Sequence, residues 1–153
     1  MKQQLDNIKK TRNYLLEQIK DLTLEQLNKV PAGFNNNIVW NLGHLVAAQQ
    51  GLCYFRAGVQ PIVEAQIFDN YKPGTKPERF ISESEVLAIK ELMSSTLERF
   101  ETDYENNLFS GYNTFTTRYG VELSSIDEAL DFVLFHEGLH SGYIMALKRV
   151  VNK

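Results

Sequence analysis

The stretch SIDEALDFVLFHEGLHSGYIMALKRV, residues 125–150, predicts one long helix. Ser125 and Glu128 have the spacing of a capping box, in which each side chain accepts a hydrogen bond from the backbone of the other residue. Apolar residues then recur at helical spacing as far as about Val150. A helix of this length is expected to line a hydrophobic core together with other helices.

Three earlier segments are also predicted to be helices, and in the first and third of them apolar residues recur three, four or seven positions apart, which is typical of a helix with one buried face. These segments are residues 5–22, 38–57 and 82–100. Further capping boxes are expected at Thr23 with Gln26 and at Ser82 with Glu85. Strand patterns are scarce, and only the alternating run at 114–119 predicts a short strand or hairpin. We therefore expect an all-α protein whose four long helices line one core.

The link between the second and third helices carries information about topology. Residues 58–81 contain Pro61, Pro73, Gly74 and Pro77, so they are not expected to continue a helix. About two dozen extended residues span ~75 Å. A helix of ~20 residues is only ~30 Å long. The second and third helices can therefore run parallel, joined by this crossover.

Length and charge restrict the classes of function. The 153 residues are enough for one domain, and we expect a single domain over residues 1–153. A net charge of -3 gives no basic surface for nucleic acid. No apolar run is long enough for a membrane span or a secretory signal. The single cysteine, Cys53, fits a reducing compartment, so we predict a cytoplasmic protein.

The three histidines of the chain, His44, His136 and His140, form a candidate metal site. His136 and His140 differ by about 40° around a helix, so their rings project from one face. His44 lies on the second helix near small residues that leave room for a ligand. Three neutral imidazoles suit zinc or nickel and leave a coordination position open. The alternative is that each histidine is a hydrogen-bonded core residue.

Residues 136–140, HEGLH, also match the H-E-x-x-H signature of zinc peptidases. Such enzymes usually take a third ligand from downstream, yet the 13 residues after His140 contain no His, Asp or Glu. A peptidase is therefore the weaker interpretation. Outside a peptidase Glu137 has no required role, and we expect its side chain to face solvent rather than a neighbouring helix.

The run NNIVWNLGHL at 36–45, followed downstream by His136, His140 and Gly142, resembles the DinB/YfiT-like superfamily. The resemblance implies a four-helix bundle with up-down-down-up topology and a metal bound by the three histidines. It also implies a homodimer. Relatives include thiol-cofactor-dependent S-transferases and an isomerase. Tyr143 stands where the family often has glutamine, which indicates a difference in pocket chemistry.

With the candidate metal site, the resemblance implies a divalent-metal-dependent enzyme, either an S-transferase using a low-molecular-weight thiol or a related hydrolase or isomerase. Its substrate would be a small electrophilic molecule. Catalytic candidates are Glu137, Tyr143 and Arg118. Arg118, with Tyr112 and Tyr119, could orient an anionic substrate, or these could be solvated loop residues. The alternative function is a non-catalytic bundle that binds a metal or ligand and dimerises.

Overall fold

The computed structural model describes residues 2–152. Within this range the chain is mostly helical, and a two-stranded antiparallel hairpin is its only sheet. The helices are α1 (Lys2–Gln18), α2 (Leu24–Asn28), α3 (Ile38–Gln49), α4 (Ala65–Tyr71), α5 (Glu83–Glu105) and α6 (Ile126–Val151). The strands are β1 (Phe115–Thr116) and β2 (Glu122–Leu123). The prediction of an all-α protein is confirmed, as is the hairpin expected near residues 114–119.

Capping hydrogen bonds from side chains explain where α2, α5 and α6 begin. Both predicted capping boxes are present at α2 and α5. At α6, Ser125 accepts a hydrogen bond from the Glu128 backbone as expected. The other half of that predicted box is wrong, because the Glu128 carboxylate accepts from the backbone and hydroxyl of Ser124 instead. A carboxylate in the first turn still stabilises the positive end of the helix dipole.

The second predicted helix, residues 38–57, is not one regular helix. After α3 the chain widens into a π-helical turn at Gln50–Tyr54 and then tightens into a 3₁₀ turn at Phe55–Ala57. Gly58 ends the segment with a φ of 70°, a left-handed conformation that glycine adopts without steric cost. This change of helical pitch alters which side chains of residues 50–57 share a face with His44.

The central helix is α3. All 12 of its residues are buried, so the helix is enclosed on every side. It contacts α5 and α6, while α1 contacts α5 and α6 as well. The link over residues 58–81 contains α4, a helix not expected from the prolines and glycine of this segment, and α4 packs on α3. Among residues 2–152, no helix combines the length and apolar character that crossing a membrane requires.

Candidate metal centre

His44, His136 and His140 meet between α3 and α6. One ring nitrogen of each lies within 4.8 Å of the corresponding nitrogens of the other two. The ring centroids of His136 and His140 are 4.4 Å apart, because residues four positions apart share a helix face. His44 is 5% exposed and approaches both rings from the neighbouring helix. The three imidazoles are therefore close enough to share one ion.

Hydrogen bonds to the Nδ1 atoms orient two of the rings. His44 Nδ1 is 2.7 Å from the backbone oxygen of Tyr71, and His140 Nδ1 is 2.7 Å from Asn41 Oδ1. The Asn41 amide is itself oriented, because its Nδ2 donates to the Asn37 backbone oxygen at 2.7 Å. Since both partners are acceptors, Nδ1 carries the proton and Nε2 keeps a free electron pair. Metal-ligating histidines commonly have such a partner on the other nitrogen.

The backbone position that holds His44 depends on a close contact between α3 and α4. The Tyr71 ring packs against Gly43, where an added Cβ would lie 2.5 Å from ring carbons. Only glycine allows this approach, which brings the Tyr71 carbonyl to His44. On its other side, His44 stacks on Trp40, with ring centroids 4.7 Å apart and planes at 10°. His44 is thus held by a carbonyl on one edge and an indole on one face.

Burial keeps the imidazoles neutral. Burial, together with the smaller effects of the neighbouring imidazoles, lowers the pKa of His136 to about 3 and that of His140 to about 4. The pKa of His44 is also lowered, mainly by burial, although the hydrogen bond with Tyr71 opposes that shift. At neutral pH all three rings therefore have an unprotonated nitrogen available, which is the form that binds a metal ion.

A cavity of about 540 Å³ borders the three histidines. As expected from the sequence, the small residues Ala47, Ala48 and Gly51 line it and leave space on the α3 side. Arg118 and Tyr119 from the hairpin line the same cavity. Its volume falls in the range of small-molecule sites, roughly 300 to 1,000 Å³. One side of the histidine cluster is therefore accessible to a small ligand.

Other sequence candidates lie outside this cavity. Tyr143 packs edge-on against Phe34, with ring centroids 5.6 Å apart, and does not line the cavity. The Tyr112 hydroxyl donates to the Leu52 backbone oxygen at 2.9 Å, so it connects the loop to the π-helical turn that follows α3. Cys53 is buried, and burial raises the pKa of its thiol to about 12.

The expectation that Glu137 faces solvent is wrong. Its side chain is 1% exposed, and its Oε1 accepts hydrogen bonds from Arg12 Nε at 2.9 Å and Nη2 at 2.6 Å. Glu137 is also absent from the residues that line the cavity. Its Oε1 is engaged by a buried guanidinium, and its Oε2 is buried away from the cavity without a hydrogen-bond partner among the described residues. Neither oxygen is therefore placed to take a proton from a water beside the histidines. The HEGLH motif therefore lacks the glutamate geometry of a zinc peptidase.

Comparison with known families gives an independent result. A family model described as the DinB superfamily matches residues 7–144. The chain belongs to the DinB superfamily. The matched range includes all three histidines, Asn41 and Gly43. A search of curated proteins finds no significant match.

The site of this DinB-superfamily protein fits a divalent metal ion. The donors are three neutral imidazoles, which suit zinc, nickel or a similar ion. Asn41 and the Tyr71 carbonyl fix the rings of two donors, and sequence reasoning missed both of them. A signal for Asn41 existed, because a polar residue three positions before His44 interrupts an otherwise apolar helix.

Proposed function

We propose that this DinB-superfamily protein is a metal-dependent enzyme that transfers a low-molecular-weight thiol to a small electrophile, or a related hydrolase or isomerase. The observation that carries the proposal is the position of the three histidines at the wall of a cavity of about 540 Å³. A histidine cluster of structural role would be enclosed. Here the donors border space for a substrate, as in metal sites that keep one position open.

Zinc or nickel is the proposed ion, with His44, His136 and His140 as its ligands. When bound, such an ion stabilises a thiolate or lowers the pKa of a water to about 7, so that a nucleophile is available at neutral pH. Asn41 and the Tyr71 carbonyl keep the Nε2 atoms of His140 and His44 directed to the site. The protein thus contributes a preorganised donor set.

In the proposed transfer, the thiol sulfur forms a bond to an electrophilic carbon of the substrate. The leaving group departs with the bonding electron pair, and the proton of the thiol passes to solvent or to the leaving group. Arg118 is the proposed orienting residue, because it lines the cavity. Tyr143 has no atom in the cavity lining, so we assign it no step. The thiol itself has to be supplied from solution, since Cys53 is buried.

We further propose that the four long helices α1, α3, α5 and α6 form an up-down-down-up bundle. The crossover over residues 58–81 and the contacts of α1 and α3 with both α5 and α6 support this arrangement.

We also propose a homodimer. Tyr119 and Phe135 are 52% and 50% exposed and pack against each other, with ring centroids 5.8 Å apart, and Leu139, one turn further along α6, is 42% exposed. An exposed apolar surface favours association. The cytoplasmic location stays a prediction.

The test combines metal analysis with a thiol-transfer screen. Purified protein should contain about one divalent metal per chain, and the loaded protein should consume a thiol and a small electrophile. His136→Ala should abolish both properties, whereas Gln66→Ala, on the exposed side of α4, should change neither. Stoichiometric metal without turnover over a broad screen would favour the non-catalytic ligand-binding alternative. Metal-dependent peptide cleavage would instead restore the peptidase interpretation.

A further inference from the structure

The cavity beside the histidines has an unbalanced charge. Two guanidinium groups, those of Arg56 and Arg118, line it, and none of its described lining residues is Asp or Glu. The fixed charge of the cavity wall is therefore positive, although the whole protein carries a net charge of -3.

Neither guanidinium has a carboxylate partner among residues 2–152. Arg12, Arg79 and Arg99 each form a salt bridge with an acidic side chain. Arg56 and Arg118 contact aromatic rings instead: the Arg56 Cζ atom lies 3.7 Å from the Phe115 ring centroid, and that of Arg118 lies 5.6 Å from the Tyr119 centroid. Stacking on a ring leaves the N–H donors at the edge of the guanidinium free for another acceptor.

The backbone holds Arg56 in place. In a regular α-helix, residues 44 and 56 would be about 120° apart. The π-helical turn at Gln50–Tyr54 and the 3₁₀ turn after it change this angle, and Arg56 lines the same cavity as His44. Asn113 then binds the Arg56 carbonyl through its backbone N–H at 2.7 Å and its side chain at 3.0 Å. Both the helix and the loop before β1 therefore fix this residue.

Arg118 lies in the turn of the hairpin. The Thr117 N–H donates to the Val121 backbone oxygen at 2.8 Å, and the Gly120 N–H donates to the Thr117 oxygen at 2.9 Å. These bonds close the turn around Arg118. Arg118 lines the same cavity as the three histidines, so its guanidinium borders the space next to the proposed metal site.

Apart from these charges the cavity is largely apolar. Phe55 and Phe68 stack with their planes at 6°, and both line it. Phe132 and the small residues of α3 contribute further apolar surface. A hydrophobic wall of this kind stabilises an aromatic or aliphatic body by removing it from water. A strongly hydrated polar ligand would gain little from it.

We propose that the cavity binds an organic oxyanion, a carboxylate or a phosphate monoester, whose apolar body lies against the aromatic wall. Arg118 and Arg56 contact the anionic group, and this directs the rest of the molecule toward the histidines. The inference rests on the proposed function, since it names the substrate class of the same cavity. The binding itself does not require the metal, because both guanidiniums belong to the protein.

Calorimetric titration of the full chain tests this, with zinc-loaded and with metal-free protein. The probes are 3-phenylpropanoate, phenyl phosphate and the neutral analogue 3-phenylpropanamide. At least one anion should bind more tightly than the amide. Arg118→Gln and Arg56→Gln should each weaken anion binding roughly tenfold, as expected for a charge-assisted hydrogen bond. Arg149→Gln, an exposed change of equal charge on α6, is the matched control and should have no effect.

The outcomes separate this inference from the proposed enzyme. Arginine-dependent binding that persists in metal-free protein supports the anion site, even if thiol transfer fails. Equal affinity for the amide and both anions would overturn it. Anion binding that needs zinc and is unchanged in both arginine variants would overturn it too, since the anion would then bind the ion directly. Arg118→Lys keeps the charge without the planar fork, so intermediate affinity is expected. Circular dichroism confirms that each variant folds.

Discussion

Arg12 and Glu137 form a salt bridge between α1 and α6 in which both side chains are 1% exposed. The same guanidinium donates to the Met93 backbone oxygen of α5 at 2.9 Å and to the Leu45 backbone oxygen of α3 at 3.3 Å. One side chain therefore binds the other three long helices. Glu137 follows the ligand candidate His136 directly, so this contact also fixes the rotation of α6 at the site.

We predict that breaking this pair strongly destabilises the fold. Glu137→Gln leaves the Arg12 charge buried without a counterion, which costs about 3 to 5 kcal/mol. Arg12→Met should cost a similar amount, because it strands the Glu137 carboxylate. Urea unfolding monitored by circular dichroism measures both.

The double variant Arg12→Met/Glu137→Leu is the control for this prediction. It removes both charges, so its loss of stability should be clearly smaller than the sum of the single changes. Additive effects would mean that the two side chains contribute independently, contrary to the geometry.

The sequence contained a sign of this pair that periodicity alone does not interpret. The apolar stripe of α1 runs through Ile8 and Leu15, and Arg12 occupies the position between them on the same face. A charged residue on the apolar face of a helix indicates either that this face is not buried or that the charge has a buried partner. Nothing local identifies that partner, since Glu137 is 125 positions away and looked like part of a peptidase motif.

Other features were predictable to different degrees. The histidine cluster follows from helical spacing and from the inward face of α3, and the structure brings the three rings together. The helix α4 was missed because Pro61 and Pro73 flank a short segment whose folding depends on packing against α3. The π-helical turn has no sequence signal, so the position of Arg56 in the cavity could not be derived from an ideal helix.

We predict that the three histidines contribute comparably to metal binding. His44→Ala, His136→Ala and His140→Ala should each reduce bound zinc or nickel from about one ion per chain to a small fraction. Elemental analysis after dialysis against a weak chelator measures this. If His44→Ala kept its full metal content, the proposal of a site shared by α3 and α6 would be wrong, because His136 and His140 of α6 would then hold the ion without His44.

Asn41 is predicted to act on the metal through His140. Replacing Asn41 with alanine removes the acceptor that fixes Nδ1–H of that ring, and loss of such a partner typically weakens metal affinity about 10- to 100-fold. Competition with a chromophoric chelator gives the affinity. Gln66→Ala serves as the control for general effects of purification. The unfolding midpoint of the metal-free variant separates two causes of weaker metal binding. If only the contact to His140 is lost, the midpoint stays near that of the wild type; if the variant is partly unfolded, the midpoint falls.

The last prediction concerns the contact of Gly43 with Tyr71. Gly43→Ala places a methyl group 2.5 Å from the ring, so the ring and its backbone have to move. We expect a destabilisation of about 1 to 3 kcal/mol from overpacking. We also expect zinc affinity to fall roughly tenfold as the Tyr71 carbonyl leaves His44 Nδ1. Gly138→Ala is the matched control, since its Cβ meets no atom within 4 Å and the change should stabilise α6 slightly.

A second variant tests the cause of that effect. Tyr71→Ala removes the ring that the new methyl group meets, so adding Gly43→Ala to it should cost little further stability. The coupling between the two sites, measured from urea unfolding of the four proteins, should therefore be at least about 1 kcal/mol. Additive losses would show that Gly43 is required for another reason, such as the conformation of α3 itself. The carbonyl of residue 71 would then owe its position at His44 to α4 alone, and the ring contact would have no part in orienting the proposed ligand.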